Sequence, residues 1–182
     1  MAQPIKAPDL EAILREFQRP VRFAGWAEVP CAAAGDYAAG DVLSASATAN
    51  AGRATYVPKL ARDRGGVATI VGIRATCTED AVLTSLRLHF FKRAPLVAEV
   101  EMDDNAAFDL VTAAGRDKWV GSILLNAFAD RGTSGSTSDN ADLREPFACS
   151  EEDDGLWMVV TTEVAEANES ANMVLHFDFY CL

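Results

Sequence analysis

Two histidines, four cysteines, a serine-rich run, a Gly-Gly pair and two acidic clusters are the features of this 182-residue chain whose types could do chemistry. His89 and His176 each carry an imidazole suited to general-base work. Both lie in extended-looking stretches beside aromatic residues, where a histidine more often faces solvent or makes one hydrogen bond in a core. Joint metal binding would require their two strands to be neighbours in the same register. The run GTSGSTS at 132–138 offers serines but not the G-x-S-x-G turn that exposes a nucleophile. Gly65-Gly66 lacks the lysine with Ser or Thr that follows a phosphate-cradling loop. The clusters 151–154 and Asp103-Asp104 lack the alternate spacing of a calcium loop and read as solvated turns. Paired carboxylates for glycoside hydrolysis would also need an aromatic groove. Aromatic residues are only 8% of the chain and mostly fall at core-like positions. No residue is therefore assigned a catalytic, cofactor-binding or metal-binding role, and no cofactor is implied.

The elements that would position these groups follow from side-chain periodicity. Residues 81–92, AVLTSLRLHFFK, form the central strand: Leu86, Leu88 and Phe90 share one side, and Arg87, His89 and Phe91 the other. Residues 9–17 predict a short helix capped by Asp9, with Leu10, Ile13, Leu14 and Phe17 as its apolar stripe and Pro20 ending it. Residues 21–29 predict a strand anchored by Phe23 and Trp26. Further strands are expected at 42–49, at 54–60 with Pro58 marking an edge, and at 67–77 with Val67, Val71, Ile73 and Ala75 on one face. More are expected at 97–102, at 119–128 with Val120, Ile123 and Leu125 inward, at 143–149 and at 156–164. The last, 173–182, places Leu175, Phe177, Phe179 and Cys181 on one face. Residues 115–118 are a polar connection with helical potential. The stretch 131–142, RGTSGSTSDNAD, reads as a mobile tip or contact loop. Roughly eight or nine strands among these ranges, joined by polar turns, predict a mainly β fold, an antiparallel β-sandwich or jelly-roll-like barrel with a short N-terminal helix. The domain organisation is then a helical arm at 1–20 and one β-sandwich domain at 21–182.

The charge balance limits the partners. A formal net charge of −11 and a pI of about 4.5 disfavour binding to a phosphate backbone, so no nucleic-acid partner is expected. No run of eighteen apolar residues suggests a membrane partner. The first residues, MAQPIKAPDL, lack the apolar core and small-residue cleavage site of an export signal. Cys31, Cys77, Cys149 and Cys181 form no C-x-x-C pair, and are expected to be reduced and mostly buried. Two disulfides in three connectivities remain formally open.

Three segments carry a resemblance. RLHFF at 87–91, DNAAF at 104–108 and KWVG at 118–121 resemble a pattern in small virion proteins of tailed bacteriophages. That pattern has an R-L-H-L-F strand followed by a proline, then D-N-A-A-F and a K-Y-(L/V)-G strand. The upstream KLARDRGGVATIVGIRAT fits the same pattern, and the likeness spans roughly residues 37–125. The resemblance implies a non-enzymatic virion structural protein, resembling head decoration or cement proteins. Its implied partner is the major capsid protein, with homo-oligomers on the capsid lattice. Its implied location is the capsid exterior of the virion, after synthesis in the host cytoplasm. A tail, connector or fibre-base component is the alternative role. The motifs are structural in kind, and the 9–17 helix lies outside them.

Overall fold

The computed structural model describes residues 22–32, 36–78, 85–130, 135–141, 143–165 and 173–182. Among these, period-two burial yields eleven strands. They are β1 (Arg22–Pro30), β2 (Val42–Leu43), β3 (Thr55–Val57), β4 (Val67–Cys77), β5 (Leu86–Phe91), β6 (Trp119–Leu124), β7 (Ala129–Asp130), β8 (Ser136–Asn140), β9 (Glu145–Ala148), β10 (Leu156–Thr162) and β11 (Val174–Cys181). One short helix, α1 (Ala113–Lys118), precedes β6, and the Thr112 hydroxyl caps it by accepting from the Gly115 N–H.

The strands pair antiparallel in two sheets. The larger runs β1-β11-β4-β8-β7, with β9 also on β4. The smaller runs β2-β10-β5-β6, with β3 also on β10. Their apolar faces pack together as a β-sandwich. Phe90 of β5 bridges the layers, its ring 5.0 Å from that of Phe147 on β9 and 6.2 Å from that of Phe179 on β11. Leu86, Leu88, Leu175 and Phe177 fill the space around it. Each such side chain taken from water contributes about 1.5–3 kcal/mol before entropy is counted.

The central strand has the predicted inner face, but its outer face is covered rather than wet. Residues 96–112 fold back over the smaller sheet. Val100 and Met102 join Val42, Phe91 and Val159 in a second buried cluster, with Phe108 and Leu110 packed against it. This third layer explains why both faces of β5 are largely buried.

Several expectations change. Phe23 and Trp26 are not core anchors but are 54% and 56% exposed. The inward side of β1 is Ala24, Ala27 and Val29, because the strand runs close to the 57–58 backbone, and a Cβ on Gly25 would collide with the Pro58 carbonyl. In β4 a bulge at Val71 resets the alternation. Ala68 and Ile70 face inward before it and Ile73, Ala75 and Cys77 after it, so Val67 and Val71 do not share the buried face. Residues 97–102 form a turn, not a strand, and only Val42–Leu43 of the 42–49 stretch pairs.

Residues 136–140 of the polar stretch 131–142 form a strand where the composition predicts a loop. Within it, β8 pairs with β4 and β7, and Ser136, Ser138 and Asn140 are buried. Ser138 Oγ donates to the Asn126 carbonyl at 2.8 Å, and Asn140 Oδ1 accepts from the Asn126 N–H at 2.9 Å. Ser138 and Asn140 on the buried face of β8 thus bond to a neighbouring connection, and their polar character hides the strand from a hydrophobicity reading. Residues 131–134 and 142, the 9–17 helix and residues 81–84 lie outside the described residues.

Candidate functional site

The two histidines lie on different sheets, so one ion cannot take both as ligands. His89 sits on the outer face of β5 beneath the 96–112 layer and is 8% exposed. Its ring stacks on Phe108 at 4.0 Å between centroids, and Nε2 lies 3.2 Å from Thr161 Oγ1 on β10. Nδ1 is buried without a partner. Burial first, and then the Arg87 charge, lower its pKa to about 4, with Glu163 opposing. The imidazole is therefore neutral at ordinary pH and a weak base.

A histidine beside a hydroxyl is the outline of a nucleophile pair. Here Thr161 is 2% exposed, so no substrate carbonyl reaches its hydroxyl. Ser122 stands opposite His89 on β6, but its Oγ lies 3.4 Å from Arg87 Nη1 instead. Arg87 forks onto Glu163, with Nη2 3.1 Å from Oε2 and Nε 2.5 Å from Oε1. Hydrogen bonding raises the pKa of Arg87 and lowers that of Glu163, which keeps both charged. The cluster is a clasp between β5 and the end of β10, and it has the geometry of a packed support rather than an open reaction centre.

The four aspartates of the acidic clusters are likewise engaged in local hydrogen bonds. Asp104 is 4% exposed, accepting from the Ser44 N–H at 2.7 Å and the Tyr37 hydroxyl at 3.0 Å. Asp103 accepts from the Asn50 and Gly52 N–H groups at 2.6 and 2.7 Å. Asp154 lies within hydrogen-bond distance of the Lys59 N–H and the Tyr56 hydroxyl. Asp153 accepts from Ser150 Oγ at 2.9 Å. These carboxylates hold turns together, as the solvated-turn reading anticipates in position if not in burial. All four cysteines are buried free thiols. Among the described residues, no three His, Cys, Asp or Glu side chains gather as a metal site.

His176 faces outward on the larger sheet, with Nδ1 3.1 Å from Glu28 Oε1. It belongs to a second surface that the sequence reading did not single out. Cross-strand register aligns Trp26, Asp178, Arg74 and Asp139 in one row across β1, β11, β4 and β8. The next row holds Phe23, Tyr180 and Gly72. The signal for this face was present in β1, where small residues at 24, 25 and 27 leave the two large rings on the opposite side.

No protein-family model matches the chain, and no curated protein or solved structure is significantly similar to it.

Proposed function

We propose that this protein is a non-enzymatic virion structural protein of a tailed bacteriophage, a decoration or cement protein that binds and stabilises the major capsid protein shell from outside. The observation that carries this reading is the convergence of the three segments that resemble the phage pattern. His89 of the first stacks on Phe108 of the second. Phe90 and Phe91 of the first pair with Gly121 and Trp119 of the third. Asp104, which opens the second, ties that layer to Tyr37 and Ser44. Residues separated in sequence thus form one structural unit whose polar groups are used for folding, which suits an adhesive module.

The mode of action is added contact area. An interface of about 1,600 Å² can hold tightly when well packed, and repeated copies on a lattice add avidity. The segment 1–20 is proposed as an arm reaching a neighbouring subunit, with 21–182 as the folded block. Quantitative mass spectrometry of purified particles tests the assignment. Copy numbers comparable with the major shell protein, retained in tailless heads, are expected. Presence only in tail fractions at a few copies would move the protein to a connector or fibre base, and absence from particles would end the virion reading. Deleting residues 1–20 should lower head occupancy without unfolding the sandwich.

A further inference from the structure

The outer face of the larger sheet has the composition of a ligand platform rather than of an ordinary wet surface. Trp26 and Phe23 are more than half exposed, and Phe23 packs edge-on against Tyr180 at 6.0 Å. Beside these rings, Arg74 Nε donates to Asp139 Oδ1 at 2.8 Å, which holds a guanidinium and a carboxylate in fixed relation on the open face. Asp178 stands between Arg74 and Trp26 in the cross-strand register. Next to this row the sheet dips. Gly72 has no side chain, β4 passes from β9 to β8 there, and a groove of about 530 Å³ opens between Tyr180, Arg74, Leu143 and Arg144. That volume lies within the range of small-ligand sites, about 300–1,000 Å³.

We propose that this face binds a neutral saccharide, with Trp26 and Tyr180 as stacking platforms and Arg74, Asp139 and Asp178 as hydroxyl partners. A sugar ring presents C–H groups on one face and hydroxyls around its edge. It therefore needs an exposed aromatic face beside groups that donate and accept in pairs. Cross-strand neighbours stand about 4.5–5.5 Å apart, close to the width of one pyranose ring. A protein partner would favour an interface centre depleted of charge, whereas here the charged row runs through the middle. The acidic balance of the chain disfavours polyanionic glycans. The inference holds whether or not the protein is carried on a virion.

The test is an array of neutral oligosaccharides probed with the full-length chain, followed by calorimetric titration of the strongest binder. Trp26→Ala and Arg74→Ala remove a platform and a hydrogen-bonding group at exposed positions, and each should weaken binding at least about tenfold. Gly72→Ser narrows the groove floor, where an added Cβ meets the Asn140 carbonyl at 3.3 Å. Leu124→Ala, at a half-exposed position on the other sheet, should leave binding unchanged. An array without neutral-glycan binding, or binding that survives both Trp26→Ala and Arg74→Ala, overturns the proposal.

Discussion

His89 shows how a catalytic residue type is turned to structural use. Its imidazole is neutral in the folded protein down to about pH 4, whereas in an unfolded chain it gains a proton near 6.5. Because the unfolded state takes up the proton first, acid favours unfolding. The contribution of His89 is complete above about pH 6.5 and is lost as pH falls toward 4. The loss is on the order of 3 kcal/mol. Urea unfolding of the wild type and His89→Gln between pH 4 and 8 should show it. The variant starts less stable, having lost the ring that stacks on Phe108, but its stability falls less steeply over that window. Equal slopes would mean that other groups carry the acid sensitivity.

At the scale of elements, β1 is set by what it must pass. A methyl group at position 25 meets the Pro58 carbonyl, so Gly25→Ala should cost about 1–3 kcal/mol in denaturant midpoint experiments. Trp26→Ala, one residue along but facing solvent, should stay within about 0.5 kcal/mol. A midpoint loss at position 26 as large as that at 25 would contradict this orientation. The contrast also shows what could be read from sequence. β4, β10 and β11 were legible because long alternating runs of branched and aromatic residues leave few other choices. Leu175, Phe177, Phe179 and Cys181 are all fully buried as that pattern requires. β8 was hidden because its buried positions are serine and asparagine, two of which, Ser138 and Asn140, bond to Asn126. Two more features needed contacts distant in sequence: the layer of residues 96–112, and the bulge at Val71 that shifts alternation in β4. The row Trp26, Asp178, Arg74 and Asp139 on the outer face of the larger sheet needed such contacts too, since it comes from four strands scattered through the chain.

For the whole molecule, the cysteines are reporters distributed across the core. Cys77 and Cys181 lie in β4 and β11, Cys31 directly follows β1, and Cys149 directly follows β9. Burial raises the pKa of Cys149 to about 11 and that of Cys181 to about 12, and moves Cys31 in the same direction. Thiolate is the reactive form, so these thiols should resist iodoacetamide at pH 8 while the sandwich is closed. Across a urea series, alkylation followed by mass spectrometry should show the four sites becoming reactive together, at the midpoint seen by tryptophan fluorescence. Labelling of one site well before the others would reveal a part of the sandwich that opens by itself.

The place of β11 bears on how the protein is made. It lies between β1 and β4 and pairs with both, yet it follows the other ten described strands in the chain. During translation the larger sheet has no centre until residues 174–181 have left the ribosome, so the earlier strands wait with open edges and a sticky inner face. Assembly is therefore a late and concerted event, slowed by its long-range pairings. A nascent chain stopped before β11 would be a substrate for chaperones and proteases rather than a partly working product.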